Sequence, residues 1–113
     1  MVRIKRVYAP PQSGDGCRIL VDRLWPRGLS KAKARVDLWL KDVAPSDILR
    51  KWFSHDPKKW PVFQRRYGEE LKSKKGLIEL IRDKAKKGTV TLLFGAKDET
   101  HNQAVVLKRM IQF

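Results

Sequence analysis

Two arginines flank a Trp-Pro turn, and their side chains could bind an anion. Arg23 and Arg27 stand four residues apart around Trp25, directly after a short β-branched segment. A guanidinium group donates paired hydrogen bonds that match the oxygens of phosphate or carboxylate. The pair therefore predicts an anion site with Trp25 as its wall. The alternative is structural: one arginine pairs with Asp22 or Asp98, and Trp25 packs in the core.

A second polar group follows the most apolar segment of the chain, at Asp98 and Asn102. If a helix begins near Thr100, Asp98 lies just before its N-terminus and Asn102 lies in its first turn. The two side chains could hold a ribose hydroxyl, a water molecule or an arginine. The alternative is that Asp98 or Thr100 caps the helix by accepting hydrogen bonds from its free N–H groups. His101, in the same turn, is expected to be exposed.

His55 is the remaining residue with acid–base potential, because it precedes Asp56 between two predicted helices. A histidine beside an aspartate can act as a general base or as a pH-sensitive group. The alternative is a histidine that packs at a helix end. The chain has only two histidines, without a clustered third ligand, so we expect no zinc site and no cofactor.

Familiar phosphate-binding motifs are missing from the sequence. There is no Gly-x4-Gly-Lys-Ser/Thr loop and no Gly-x-Gly-x2-Gly fingerprint, which argues against an ATPase or an ordinary dinucleotide-binding protein. Cys17 and Arg23 have the Cys-x5-Arg spacing of phosphatase loops. The residues between them are not small and predict a strand, so Cys17 is interpreted as a small strand residue.

Strands and helices that could position these side chains are visible in the apolar pattern. Alternation and β-branched residues predict strands over 2–8, 17–22, 36–41 and 89–94, the last buried on both faces. Helical spacing and capping residues predict helices over 47–53, 57–71, 77–87 and 104–111. Ser46 and Asp56 are the predicted N-caps, Gly76 is expected to separate two helices, and Gly88 to stop the later one.

This order of elements predicts an α/β fold: one compact domain over residues 1–113, with a small, mostly parallel sheet flanked by helices. In open parallel sheets, ligands bind outside the carboxyl ends of the strands. The rule points to residues 23–28 after the second strand and to 95–102 after the last.

Composition narrows the class of protein further. A chain of 113 residues with 42% hydrophobic residues has room for one core. Its apolar runs are too short to span a membrane, the N-terminal residues lack the apolar stretch of a secretory signal, and one cysteine cannot form an internal disulfide. We therefore expect a cytoplasmic protein that does not bind membranes. The oligomeric state stays open.

A strong positive charge suggests polyanionic partners. The 26 lysines and arginines exceed the 12 acidic residues by 14. Such an excess attracts nucleic acid, but the basic residues are spread along the whole chain. A merely solvated basic surface is the alternative interpretation.

Three segments resemble the YeaO-like family, domain of unknown function 488. The first segment is residues 15–28, which resemble the family's signature: Asp-Gly-Cys-Arg-Ile-Leu-Val-Asp-Arg-Leu-Trp-Pro-Arg-Gly. The family's middle resembles 44–55 and 60–71, and its C-terminal block resembles Thr-Leu-Leu-Phe-Gly-Ala-Lys-Asp at 91–98 with His-Asn-Gln-Ala at 101–104. The resemblance covers nearly the whole chain. It implies a small cytoplasmic α/β domain and carries no reaction to transfer.

The leading hypothesis is that a phosphate-bearing, nucleotide-like small molecule binds at the carboxyl edge of the sheet. The residues expected to bind it are Arg23, Trp25, Arg27 and Asn102. Hydrolysis or group transfer on that ligand would use Asp98 or His55 as the acid or base. The competing hypothesis is a nucleic-acid-binding module without catalysis, and a third is a protein-interaction subunit that uses its surface alone.

Overall fold

Four short parallel strands form the centre of the fold in a computed structural model, which describes residues 1–112. They are β1 (Val2–Arg6), β2 (Cys17–Leu20), β3 (Leu38–Trp39) and β4 (Val90–Phe94). The order across the sheet is β1-β4-β2-β3, and each neighbouring pair is parallel. One row of paired residues crosses the whole sheet: Ile4, Leu92, Ile19 and Leu38. The predicted α/β class is confirmed, and the sheet described here is parallel throughout.

Helices cover the two faces of this sheet unequally. They are α1 (Lys31–Ala34), α2 (Asp47–Phe53), α3 (Trp60–Leu71), α4 (Lys75–Lys87) and α5 (Gln103–Gln112). The main core joins the side chains of Val90, Leu92 and Phe94 to apolar residues from α2 to α5. β4 is buried along its whole length, as the sequence predicts, because it lies between two strands and between two apolar layers.

A smaller apolar cluster covers the opposite face. Leu20 and Leu93 point into it, and Trp25 and Trp39 pack edge to face with ring centroids 5.4 Å apart. The Trp25 indole N–H also donates to the carbonyl oxygen of Leu29 at 2.6 Å. These contacts fix the chain that links β2 to β3.

A buried ionic cluster lies beneath the same linking chain. The Arg18 guanidinium, 4% exposed, contacts the Asp15 carboxylate at 2.5 Å and donates to the carbonyl oxygens of Ala34 and Arg35. Lys5 reaches the same carboxylate at 3.1 Å. Burial alone would raise the pKa of Asp15, but the N–H of Gln12 and the two cations lower it. The cluster ties β1 and β2 to the end of α1.

Local signals explain where several helices begin and end. The Ser46 hydroxyl accepts from the N–H of Leu49, and Asp56 accepts from Lys58, so both predicted N-caps are confirmed. The prediction for Gly76 is wrong, since a 3₁₀ turn at Lys72–Lys74 separates α3 from α4 and Gly76 lies in the first turn of α4. Packing of the flanking apolar residues outweighs the helix cost of one glycine, about 1 kcal/mol.

Several boundaries also differ from the predicted ones, and β1 and β2 each end two residues earlier than predicted, at Arg6 and Leu20. The third strand is only two residues long, and the short helix α1 precedes it in a segment for which the sequence predicted no helix.

No helix within residues 1–112 is long and apolar enough to cross a membrane.

Candidate functional site

A cavity of about 440 Å³ opens at the carboxyl ends of β2 and β4. The segments after these strands contribute Asp22, Arg23 and Gly95 to its lining. The end of α2 and the chain just before α5 close it from the helical side, and Phe53 and Phe63 form an apolar wall in which their rings stack at 4.3 Å. The cavity lies at the edge of the sheet where the fold class predicts a ligand.

Asp22 is a partly buried carboxylate in this cavity. Its Oδ2 accepts from the Gly95 N–H at 2.8 Å, and its Oδ1 accepts from the Gln103 side-chain amide. Burial raises the pKa of Asp22 to about 6, although these two hydrogen bonds and the charge of nearby His55 oppose the rise. A Cβ at position 95 would lie 2.8 Å from Oδ2, so any residue larger than glycine would displace the carboxylate.

Positive charge enters the cavity from Arg23 and from the end of α2. The Arg23 guanidinium donates to the carbonyl oxygens of Ala44 and Pro45, each at 3.3 Å, and its side chain is still 29% exposed. Arg50 and Lys51 also line the cavity, and Arg50 contacts Asp47 at 3.3 Å. These contacts and an ion pair with Asp47 at 4.0 Å hold Arg23 in place, and its partly exposed side chain can still meet an anion.

The turn after α2 has an uncommon backbone. Ser54 and His55 have φ values of 46° and 57°, in the left-handed region that side chains with a Cβ rarely adopt. Both residues line the cavity, and Ser54 ends α2 by donating its N–H to the carbonyl oxygen of Arg50. Such strain recurs at binding sites, where the surrounding structure maintains it.

Asp98 and His101 form a hydrogen-bonded pair in the loop before α5. Asp98 Oδ2 lies 2.9 Å from His101 Nδ1, while its Oδ1 accepts from the N–H groups of Thr100 and His101. The Thr100 N–H, the His101 ring and the remaining donors lower the pKa of Asp98 well below its ordinary value. His101 lines the cavity and packs edge-on against Trp60, whereas Asp98 does not line the cavity. Asp98 therefore orients a histidine that faces the site.

Asn102 caps α5. Its Oδ1 accepts from the N–H of Ala104 at 2.9 Å and its Nδ2 donates to the Asp98 carbonyl oxygen, with 2% of the residue exposed. The predicted helix over 104–111 corresponds to α5, which begins at Gln103, so Asn102 precedes the helix and does not lie in its first turn. Asn102 borders the cavity, but these contacts use its amide. A ligand contact by Asn102 stays a prediction.

The structure brings together only part of the predicted site. Arg23, His55 and Asn102 border one cavity, but Trp25 and Arg27 do not. Trp25 is held in the small apolar cluster on the other face. Arg27 is exposed, and its carbonyl oxygen accepts a hydrogen bond from the Tyr8 hydroxyl. The two arginines therefore do not meet in this cavity, because the turn between them leads the chain away from it.

Sequence reasoning missed Asp22, His101 and Gln103 as site residues. The sequence suggests Asp22 only as a partner for an arginine, although a carboxylate at the carboxyl end of a buried strand is the available signal. The Asp98-x2-His101 spacing was the signal for the pair. No group of three metal-ligating side chains occurs within residues 1–112. The cavity offers cations, one carboxylate, two imidazoles and an aromatic wall.

Comparison with known proteins finds a matching family model and several proteins of similar sequence. A family model described as "Inactive DUF488-N3 subclade" matches residues 1–113. "Uncharacterized protein YeaO" of Escherichia coli (strain K12) is 43% identical over 106 residues, which cover 94% of this chain and 92% of that protein. "Uncharacterized protein Mb3100c" of Mycobacterium bovis is 41% identical over 110 residues, covering 97% and 92%. No solved structure matches.

Proposed function

This chain belongs to the DUF488 family of YeaO-like proteins, and from the cavity just described we propose that it binds a phosphate-bearing, nucleotide-like ligand without turning it over. The observation that carries the proposal is that Arg23, Arg50 and Lys51 share one cavity with Phe53 and Phe63 at the carboxyl edge of a parallel sheet. Cations suit the phosphate, and the small parts of Phe53 and Phe63 that remain exposed, 5% and 2%, give a planar base an apolar contact.

Binding is proposed in preference to catalysis for two reasons. The matching family model is described as an inactive subclade, which favours binding over a reaction. In addition, the Asp98–His101 pair has no serine, threonine or cysteine hydrogen-bonded to its Nε2 within residues 1–112, so it lacks an activated nucleophile. Asp98 and His55 remain the predicted acid–base residues if turnover occurs.

A thermal-shift panel tests the proposal. Nucleotides, dinucleotides, sugar phosphates, inorganic phosphate and short DNA and RNA are added at fixed ionic strength to the wild type, Arg23→Ala and Arg27→Ala. A ligand that binds only the folded state raises the melting temperature. We expect a small phosphate compound to stabilise the wild type and not Arg23→Ala.

Arg27→Ala is the matched control, because it removes the same charge outside the cavity. Loss of the ligand-induced stabilisation in both variants would favour the site formed by both arginines that the sequence predicts. The same samples, incubated with the ligand and separated by chromatography, should return it unchanged. Stabilisation by oligonucleotides alone, equal in all three proteins, would overturn the proposal.

Nucleic-acid binding is the second candidate, favoured by the surplus of positive charge. Seven of the 26 lysines and arginines form an ion pair with a carboxylate within residues 1–112. A surface that neutralises six or more phosphates loses roughly 10³-fold in affinity between 50 and 200 mM salt, whereas a pocket with few cations loses much less. The dependence of affinity on salt concentration therefore separates the two candidates.

A cytoplasmic location remains a prediction from the sequence.

A further inference from the structure

Asp22 is a carboxylate that no cation of the described residues contacts directly. Both of its carboxylate oxygens accept hydrogen bonds from neutral donors, the Gly95 N–H and the Gln103 amide. It forms no ion pair within residues 1–112. A partly buried carboxylate without a cation costs free energy. Its retention at the wall of a cavity suggests that something outside the chain uses it.

The carboxylate keeps room for a ligand. An ionised carboxylate has about four lone-pair positions, and the two internal donors occupy one on each oxygen. Gly95 supplies the close backbone approach, since any Cβ at this position would press on Oδ2. Asp22 is thus held by two internal hydrogen bonds and still lines the cavity.

The surrounding charges restrict what can approach Asp22. Arg23, Arg50 and Lys51 line the same cavity, so a second cation would be repelled there and a phosphate would choose the cations over the carboxylate. A neutral group with hydrogen-bond donors satisfies Asp22 without either penalty. A carboxylate accepts such donors in pairs, one on each oxygen.

We propose, building on the ligand site proposed above, that Asp22 selects the end of the ligand remote from the phosphate by accepting hydrogen bonds from two adjacent neutral donors. Two parts of a nucleotide offer this chemistry: the cis-diol of a ribose and the N1–H/N2–H edge of guanine. The phosphate then lies toward Arg23 and the base toward Phe53 and Phe63. The ligand class is a ribonucleotide or guanine nucleotide, rather than a simple sugar phosphate or free phosphate.

Calorimetric titration tests this selection with four probes: guanosine 5′-monophosphate, inosine 5′-monophosphate, 2′,3′-dideoxyguanosine 5′-monophosphate and inorganic phosphate. The proteins are the wild type, Asp22→Asn and Arg23→Ala. Hydrogen bonds to a charged acceptor are strong, so Asp22→Asn should weaken guanosine monophosphate at least tenfold. It should leave inorganic phosphate unchanged. Arg23→Ala should weaken both.

The analogues identify the donors. If inosine monophosphate binds the wild type as weakly as guanosine monophosphate binds Asp22→Asn, the donors belong to guanine. If the dideoxy compound does so, they belong to the ribose. Equal binding of guanosine monophosphate to the wild type and Asp22→Asn, with a loss in Arg23→Ala, overturns the role of Asp22 and leaves the phosphate site standing. Failure of all four probes to bind the wild type overturns both proposals.

Discussion

Replacing Asp22 with asparagine should stabilise the protein at neutral pH even though it weakens ligand binding. Burial raises the pKa of Asp22 from an ordinary value of 3.8 to about 6. Because the folded state holds this proton more tightly, stability is full below about pH 4 and falls as the pH rises through 6. Each tenfold change in proton affinity is worth about 1.4 kcal/mol, so the ionised carboxylate costs up to about 3 kcal/mol. Partial exposure reduces this to about 1–3 kcal/mol.

Urea unfolding at a series of pH values measures the effect. The free energy of unfolding of Asp22→Asn minus that of the wild type should grow by about 1–3 kcal/mol between pH 4 and pH 8. Most other titrating groups cancel in this difference. His55 is the exception, because its charge acts on Asp22. The same comparison in a His55→Gln background serves as the control, and the rise should persist there.

A difference that stays constant with pH, or a variant that is less stable than the wild type at pH 8, would refute this reasoning. Either result would mean that ionised Asp22 is compensated by groups other than Gly95 and Gln103. The combination of higher stability with weaker binding is the expected signature of a residue kept for function.

Three further predictions concern the elements that support the site. Gly95→Ala should destabilise the fold by about 1–3 kcal/mol, because the new Cβ would press on Asp22. Gly68→Ala, inside α3, meets no neighbouring atom and should stabilise the fold by about 0.5–1 kcal/mol; the denaturant midpoints of the two variants and the wild type measure both effects. Arg18→Ala should cost about 3–5 kcal/mol, because it removes one of the two cations at buried Asp15 and the donors to the Ala34 and Arg35 carbonyl oxygens. Exposed Lys86→Ala should cost at most about 0.5 kcal/mol, and an equal cost of the two variants in urea unfolding would contradict the ionic cluster. Tyr67→Phe should cost about 1–2 kcal/mol, since its buried hydroxyl donates to the Val43 carbonyl oxygen at 2.6 Å; unchanged thermal unfolding would refute that contact.

The fold was more predictable than the site, for a physical reason. The apolar pattern of 89–94 and the caps at Ser46 and Asp56 are local signals, and the structure bears them out. The strand order has no such local signal. Strand β4 lies between β1 and β2, although it is distant from both in the sequence. Gly76 shows the limit of a single-residue signal, because packing on both sides decides whether a helix ends.

The site depended on directions that sequence spacing does not encode. Arg23 and Arg27 are close in the chain, yet the turn at Gly28, with φ of 76°, belongs to a segment that packs on the other face of the sheet. Asp22 and Gly95 are 73 residues apart and meet because β2 and β4 are neighbours. A polar residue at a strand end becomes informative only once the strand order is known.

The most direct test of the central claim is a map of amide chemical shifts in the ¹⁵N-labelled protein as guanosine 5′-monophosphate is added at constant ionic strength. The account predicts that the perturbed amides cluster at residues 22–24, 44–55 and 95–103, around the cavity between β2, β4 and the end of α2. It also predicts that this cluster of shifts is lost in Arg23→Ala and kept in Arg27→Ala. Perturbations scattered over Arg65 and Arg66 of α3 and the lysines of α4, or none at all, would contradict binding in this cavity.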